Sequence, residues 1–144
     1  MIVPDVNLLV YAYNADAPLH QRAKDWWEDA LSRTERPVGL DWVVMLGFVR
    51  LMTHPAVLEN PLRPEQATAP LAEWLAQPHV EVLQPGPRHL QIFESLLVGT
   101  GVAGNLSTDA HLAALAIEHK AELHSNDRDF GRFPGLRWRN PLSH

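Results

Sequence analysis

Short segments typical of β-strands alternate along the chain with longer segments of helical periodicity. The strand-like segments are "IVPDVN", "HVEVLQPG" and "AELHSNDRDF". The helix-like segments are "DAPLHQRAKDWWEDALSR", "GLDWVVMLGFVRLMTHP", "RPEQATAPLAEWLAQP", "PRHLQIFESLLVGTG" and "GVAGNLSTDAHLAALAIEHK". Because strands that alternate with helices usually form a sheet covered by those helices, the sequence predicts an α/β sandwich around a mainly parallel sheet.

Local signals predict where these helices begin and which faces they bury. Asp16 is expected to cap the first helix, and a Ser/Thr cap is expected to begin the last one after a glycine-rich loop. In the second helix, Trp42, Leu46 and Val49 share a stripe that we expect to face the core. Pro70 must either kink the third helix or mark a later start. Core packing, rather than base stacking, is expected for the tryptophans at 26, 27, 42 and 74.

Composition limits the classes of function. At 144 residues with 46% apolar side chains, the chain fits one globular domain covering residues 1–144. The absence of cysteine excludes disulfides, a thiolate nucleophile and a cysteine-based zinc site. No apolar run approaches the ~18 residues that a membrane span needs, so we expect a soluble, cytoplasmic protein.

The charge distribution is uneven. A formal net charge of −5 argues against a nonspecific nucleic-acid coat, because such binding comes mainly from lysine and arginine. Ten of the twelve basic residues are nevertheless arginine, and four of them share a short C-terminal stretch: Arg128, Arg132, Arg137 and Arg139. This stretch fits either a solvated loop or a patch that contacts phosphates.

Three aspartates are placed where the strands end or a helix begins. Asp5 ends the first strand, Asp109 lies at the start of the last helix, and Asp127 follows the last predicted strand. In open α/β sheets, ligands bind outside the carboxyl ends of the strands, so these side chains are candidates for one site. Taken singly, Asp109 is also an ordinary helix-start residue and Asp127 an ordinary turn former. Asp5 is harder to explain without a function, because it directly follows an apolar strand.

Convergent carboxylates repel each other unless a cation or a proton intervenes. Oxygen ligands without cysteine favour Mg²⁺ or Mn²⁺ over zinc. Such an ion can orient a phosphate and activate a water for in-line attack, so the aspartates predict metal-assisted phosphodiester hydrolysis. Asn7 and Ser125 can serve the site or simply satisfy the backbone, and the sequence does not separate these roles.

Other chemistries find less support in the sequence. The eight histidines form no HExxH motif, and "GTGVAGN" has neither the GxGxxG spacing nor the GK[ST] ending of phosphate-binding loops. A phosphatase that uses Asp5 as a covalent nucleophile is weakened because "DVN" lacks a second acid two residues on.

Four segments together resemble the PIN-domain ribonucleases, specifically the VapC-type toxins of bacterial toxin–antitoxin pairs. They are "DVNLLVYAYN", "WVVMLGFVRLMTHP", "GNLSTDAHLAALAIEH" and "LHSNDRDFGRFPGLRW", which span nearly the whole chain. The resemblance implies a PIN-like α/β/α sandwich, three layers deep, that binds Mg²⁺ or Mn²⁺ and cleaves RNA. It further implies restraint by a cognate VapB-type antitoxin and a homodimer.

The resemblance also assigns roles to individual residues. Asp5, Asp109 and Asp127 match three of the family's acidic, metal-binding positions, Asn7 and Ser125 match polar neighbours, and Asp129 is an accessory candidate. Arg128 and Arg132 are candidates for contacts with RNA phosphates.

One position departs from the family pattern. Gly47 in "LGFVR" stands where the family has a glutamate, although Arg50 matches. Asp41 lies six residues earlier, about 240° around the same helix, so it is expected to face elsewhere. Asp129 or additional water on the metal is the expected compensation. The alternative function is a catalytically impaired PIN-like module that binds RNA or a protein partner.

Overall fold

The computed structural model describes residues 1–101, 104 and 106–143, and its described strands form a parallel sheet. The strands are β1 Ile2–Pro4, β2 Val38–Leu40, β3 Val80–Val82, β4 Glu122–His124 and β5 Trp138–Arg139. They lie in the order β3-β2-β1-β4-β5, and each neighbouring pair is parallel. The predicted sheet is confirmed.

Helices connect the strands. They are α1 Val6–Tyr13, α2 His20–Ser32, α3 Trp42–Met52, α4 Pro64–Leu75, α5 His89–Thr100 and α6 Leu106–Glu118, with a 3₁₀ helix at Arg128–Arg132. Helix α1 packs against α2 and α3, α3 packs against α4, and α5 packs against α6. These two groups of helices, with the sheet, give the three layers that the resemblance implied.

The direction of the chain reverses across the sheet between β3 and β4. From β1 the chain moves outward to β2 and β3, and it then returns to the opposite side of β1 to form β4. Because parallel crossovers are right-handed, this reversal places α1 to α4 on one face and α5 to α6 on the other. The carboxyl ends of β1 and β4 therefore flank the point where open sheets of this kind bind ligands.

An aromatic group fills the core on the side of α1 to α4. Trp74 is fully buried, and its ring lies edge-on to the rings of Tyr13, Trp27 and Phe48 at centroid distances of 5.0–5.7 Å. Its indole N–H donates to the Tyr13 hydroxyl at 2.9 Å, so the polar atom of the largest core side chain is satisfied. The expected core positions of Trp27 and Trp74 are confirmed, and Trp26 is half-buried.

The stripe predicted for α3 is wrong. Trp42 and Leu46 are 47% and 63% exposed. The buried face instead carries Val44, Met45, Phe48 and Met52. Helix α3 is apolar around most of its circumference, so two stripes satisfy helical periodicity equally well, and packing against α1 and α4 selects one of them.

Several boundaries also differ from the predictions. Helix α2 begins at His20 without a side-chain cap, because Asp16 lies in a preceding turn where its N–H donates to Asn14 Oδ1. Pro70 lies within α4 and does not end it. Ser107 and Thr108 lie inside α6 rather than before it, and residues 102, 103 and 105 of the preceding glycine-rich loop are outside the described part of the chain.

The short elements α1, β2 and β5 were not predicted. Each strand has three residues or fewer, and α1 is an apolar run that follows Asp5 without a break. None of the helices in the described part of the chain has the length and apolar character needed to cross a membrane.

Candidate functional site

Asp5 lies between β1 and α1 and caps that helix. Its backbone is extended (φ −84°, ψ 156°), and its Oδ1 accepts a hydrogen bond from the Val6 N–H at 2.8 Å. The residue is only 9% exposed. The strand end therefore presents a carboxylate that is largely removed from water, as the apolar surroundings in the sequence predicted.

Ser125, directly after β4, links Asp5 to the last strand. It is fully buried, and its hydroxyl donates to Asp5 Oδ2 at 2.7 Å. Ser125 Oγ in turn accepts from the Asp127 N–H at 2.9 Å and from Asn7 Nδ2 at 3.4 Å. One donor and two acceptor sites are all that a serine hydroxyl has, so Ser125 is saturated by these site residues.

Asp127 and Asp129 lie at the start of the 3₁₀ helix that follows β4. Asp127 Oδ1 accepts from the Asp129 N–H at 2.9 Å, which caps the 3₁₀ helix. Arg132 Nη1 is 3.9 Å from Asp129 Oδ1. Among the described residues, the exposed Arg128 side chain makes no hydrogen bond or ion pair. Arg128 and Arg132 therefore lie beside the acidic residues, and their contact with RNA phosphates stays a prediction.

Asp109, in the first turn of α6, completes a cluster of four carboxylates. Burial and then repulsion from Asp5, Asp127 and Asp129 raise the pKa of Asp109 from 3.8 to about 6. Burial likewise raises the pKa of Asp5, against the lowering effect of its bonds from Ser125 and Val6 N–H. The fold thus brings together the three aspartates selected from the sequence, and it adds Asp129 as a fourth charge.

This cluster suits a hard divalent cation in its donor chemistry. Unneutralised carboxylates repel each other, and a bound cation removes that repulsion. Within the described residues, however, no group of three or more His, Asp or Glu side chains forms a ready-made metal cage. Mg²⁺ commonly binds one or two carboxylates and retains several waters, so the donors present fit that mode of binding rather than a full protein cage.

Gly47 leaves the family's acidic position in α3 without a carboxylate, and Asp41 does not replace it. A Cβ at Gly47 would lie 3.3 Å from Val6 Cγ2, so Gly47 packs beside the turn that holds Asp5 and supplies no carboxylate there. Asp41 is 6% exposed and precedes α3 without capping it. Its Oδ2 is instead 2.6 Å from His111 Nε2. Asp41 is not among the charges that act on Asp109, in agreement with the prediction that it faces elsewhere.

A histidine pair beside Asp41 was not predicted from the sequence. His111 Nδ1 is 3.0 Å from His89 Nε2, so Asp41, His111 and His89 form a continuous chain of hydrogen bonds from β2 to α6 and α5. Burial, and then the neighbouring His111, lower the pKa of His89. These three residues are far apart in the sequence and share no motif, so no sequence signal joined them.

The C-terminal arginines do not form one patch. Arg137 donates to the backbone carbonyl of Lys120, away from the other three. Arg139 lies at the end of β5 and lines a cavity with three arginines from the region of α2. Trp138 donates its indole N–H to the Ser125 carbonyl at 3.1 Å, which gives it a supporting role behind the site.

Comparisons with known proteins agree with this fold. The PIN domain family model matches residues 2–136. The chain is 47% identical over 142 residues to ribonuclease VapC33 of Mycobacterium tuberculosis, covering 99% of each protein. The VapBC2 structure from Rickettsia felis, bound to a DNA fragment from their promoter, superposes with a TM-score of 0.70 at 21% identity, covering 97% of this chain and 98% of that one. VapC20 of Mycobacterium tuberculosis, a Sarcin-Ricin loop cleaving toxin, gives 0.67 at 21% identity, covering 95% and 99%.

Proposed function

Because this chain belongs to the PIN-domain family, we propose that it is a VapC-type endoribonuclease that hydrolyses RNA phosphodiester bonds as the toxin of a toxin–antitoxin pair. The observation that carries this proposal is the cluster at the carboxyl ends of β1 and β4, where burial and then three other aspartates raise the pKa of Asp109 to about 6. The identity of 47% to a protein named as a ribonuclease supports the same reaction.

In this proposal, Asp5, Asp109 and Asp127 hold Mg²⁺ or Mn²⁺. When bound, the ion supplies a water activated for attack and neutralises charge on the phosphate. Ser125 fixes the Asp5 carboxylate through its 2.7 Å hydrogen bond, and Asn7 supports Ser125 from the first turn of α1. Asp129 is an accessory acid.

Arginines beside the carboxylates complete the site. Arg128 and Arg132 are exposed next to Asp127 and Asp129, where guanidinium groups can contact RNA phosphates on either side of the cleaved bond. An acidic protein can bind RNA in this way because the cation and the local arginines neutralise the backbone at the site itself.

The partners and setting belong to the same proposal. The solved VapBC assemblies that share this fold support a VapB-type antitoxin as the protein partner. We further propose a homodimer, a cytoplasmic location, and a single PIN-like domain over residues 1–144.

The test is cleavage of total RNA by the purified protein with Mg²⁺ or Mn²⁺, with and without EDTA, beside Asp5→Asn. We expect metal-dependent cleavage that Asp5→Asn reduces more than about 100-fold, since even supporting residues around a metal contribute about 10–100-fold. Asp41→Asn is the matched control, because it changes the same functional group at the end of the next strand. It should keep cleavage within about 10-fold of wild type.

The alternative is a PIN-like module that binds RNA or protein and has lost cleavage. Gly47 in place of an acidic residue, and the absence of a ready-made metal cage among the described residues, favour this alternative. Folded protein that binds RNA but does not cleave it with either metal would establish the binding role. Cleavage that survives Asp5→Asn would instead place the reaction at another site.

A further inference from the structure

A cavity of about 630 Å³ lies outside the carboxylate cluster, between α2 and the segment that follows β5. None of the four clustered aspartates lines it. Its charged wall consists of Arg22, Asp25, Asp29, Arg33, Arg36 and Arg139. The chain as a whole carries a net charge of −5, yet this wall combines four guanidinium groups with two carboxylates. The wall of the cavity therefore carries a net positive charge, although the protein as a whole is acidic.

Internal ion pairs explain part of this arginine cluster, but not all of it. Arg33 Nε is 3.0 Å from Asp29 Oδ1, and Arg36 Nη2 is 4.0 Å from Asp29 Oδ2, so one carboxylate serves two cations. Arg22 Nη1 donates to the Leu142 carbonyl at 3.2 Å, and Arg22 has no ion pair within 4 Å among the described residues. Among the described residues, the exposed Arg139 side chain makes no hydrogen bond and has no ion pair within 4 Å. Arg22 and Arg139 thus have no carboxylate within 4 Å among the described residues, and Glu122 offsets the charge of Arg139 only at longer range. Both guanidinium groups can therefore bind an anion.

The floor of the cavity includes a buried histidine ring with both nitrogens hydrogen-bonded. His124 is 2% exposed, its Nδ1 accepts from Trp26 Nε1 at 3.0 Å, and its Nε2 donates to Glu122 Oε1 at 2.7 Å. Burial lowers the pKa of His124 despite the hydrogen bond to Glu122. The half-buried indole of Trp26 is held by this bond, and it presents an aromatic surface in the same wall as the arginines. Proteins that bind single-stranded nucleic acid commonly combine a positively charged groove with aromatic side chains, and this wall offers both.

Hydrogen bonds connect residues of the cavity wall with residues of the carboxylate cluster. The Arg139 carbonyl accepts from the Ser125 N–H at 3.1 Å, and Ser125 is the residue that holds Asp5. The next residue, Asn140, donates from Nδ2 to Asn126 Oδ1 at 3.0 Å. His124 immediately precedes Ser125 in the chain. An RNA chain bound at the carboxylate cluster would therefore have to extend only across the ends of β4 and β5 to reach Arg139.

We propose that this arginine cavity binds the phosphodiester backbone of the RNA segment that flanks the cleaved bond. The inference rests on the proposed function, and it adds a second contact region on the α2 side of the sheet. An acidic segment of a protein partner would match the charge alone. The direct backbone link to the carboxylate cluster and the aromatic ring in the wall favour RNA.

The test measures binding of a fluorescein-labelled, 20-nucleotide single-stranded RNA of mixed sequence in EDTA, where metal-dependent cleavage is prevented. Arg139→Gln and Arg22→Gln are compared with wild type across a series of salt concentrations. The matched control is Arg63→Gln, because Arg63 is exposed, pairs with Glu65 at 2.6 Å and lies at the start of α4. Thermal unfolding of each variant verifies that the fold is retained.

We expect each cavity variant to weaken RNA binding several-fold and to reduce the slope of log K against log salt by about 0.7, the value for one phosphate contact on a single strand. Arg63→Gln should leave both quantities unchanged. Arg139→Gln gives the cleaner result, because Arg22 also holds the Leu142 carbonyl.

Unchanged affinity and slope in a folded Arg139→Gln variant would overturn the inference, even if the wild type cleaves RNA and the proposed function stands. Conversely, weaker binding by this variant in a protein that never cleaves RNA would support the cavity and overturn the proposed function. Loss of antitoxin binding with unchanged RNA binding would assign the cavity to a protein partner and also overturn the inference.

Discussion

Asp5 and Asp41 occupy equivalent places on neighbouring strands, yet their surroundings differ completely. Each directly follows a strand, β1 or β2, and each precedes a helix, α1 or α3. Their backbones are alike, with φ and ψ of −84° and 156° at Asp5 and −96° and 145° at Asp41. Both are buried, at 9% and 6% exposure. The position of a carboxylate at a strand end is therefore a property of the fold and does not define its chemistry.

The difference comes from what the other elements bring to each carboxylate. Asp5 faces Ser125 from β4 and repulsive charges from other aspartates, whereas Asp41 faces His111 at 2.6 Å. Helix α6 supplies both Asp109 and His111, which are two residues and hence about 200° apart around the helix. The first turns of α6 thus place the carboxylate of Asp109 toward Asp5 and the imidazole of His111 toward Asp41. Asp5 thus lies beside other carboxylates, whereas Asp41 is hydrogen-bonded to an imidazole.

Next to replacing Asp5 itself, the largest effect should follow from removing the side chain that supports Asp5. Ser125→Ala removes the hydroxyl that donates to Asp5 and accepts from the Asp127 N–H. We expect RNA cleavage to fall by about 10–100-fold, the usual loss when a group that orients a metal ligand is removed. Steady-state kinetics at saturating Mn²⁺ measures this effect, and Ser32→Ala on the exposed end of α2 is the control.

A cleavage rate within twofold of wild type for Ser125→Ala would show that Asp5 keeps its position without the serine. Asp5 would then differ from Asp41 only in the charges that surround it. Titration of Mn²⁺ distinguishes the two ways in which activity can fall, because weaker metal binding is overcome at high Mn²⁺ and a misplaced carboxylate is not.

A smaller effect, on stability rather than catalysis, should follow from breaking the contact of Asp41. Asp41→Ala removes the acceptor for His111 Nε2, and the bond links β2 to α6 in a site with little exposure. Urea unfolding should show a loss of about 1.5–3 kcal/mol, the range for a hydrogen bond that involves a charged group. Asp5→Asn loses the acceptor for either the Val6 N–H or the Ser125 hydroxyl, but it also removes a buried charge that the fold disfavours. These two effects oppose each other, so the net loss should be smaller than for Asp41→Ala.

The pair Asp41 and His111 allows a stricter version of that comparison. If their hydrogen bond is the source of the stability, Asp41→Ala and His111→Ala should be non-additive, and the double variant should lose little more than either single one. Additive losses would mean that each residue stabilises the protein through separate packing. In that case Asp41 and Asp5 would differ less than their geometry indicates.

The sequence predicts those features of the two regions that depend on neighbouring residues, and it misses those that depend on contacts between distant segments. Asp5, Asp109 and Asp127 were predictable because strand ends and helix starts are local features, and parallel strands bring their carboxyl ends to one edge. Ser125 lies beside Asp5 only because of the order of the strands. Its role as the link among Asp5, Asn7 and Asp127 could therefore be recognised only from the structure. The sequence offered Ser125 only as an ambiguous polar neighbour.

Other features depend on contacts between distant segments and were missed for that reason. Asp41, His111 and His89 come from three elements separated by long stretches of chain, and no spacing rule joins them. The exposed stripe of Trp42 and Leu46 shows the same limit, since an apolar helix does not reveal which of its faces packs inward. The strands β2 and β5 are too short for their alternation to be recognised.

The smallest effect should be a pH dependence of stability in the metal-free protein. The pKa of Asp109 is raised from 3.8 to about 6 by burial and by the neighbouring aspartates. The folded state therefore binds the proton more tightly than the unfolded state does. The stability contributed by this group is fully present below about pH 3.8 and is lost as the pH rises through about 6.

Asp109→Asn cannot ionise, so its melting temperature should equal that of wild type near pH 4 and exceed it by a few degrees above pH 7. Because Asp109 is half-exposed, solvent screens its charge and keeps the effect small. Calorimetry in EDTA from pH 4 to pH 8 measures the difference, with Asp16→Asn in an exposed turn as the control. Added Mn²⁺ should reverse the order at pH 7.5, since the wild-type carboxylates then bind the cation. A constant difference across the pH range would mean that neither burial nor the neighbouring carboxylates raise the pKa of Asp109, and the contrast with Asp41 would lose its electrostatic basis.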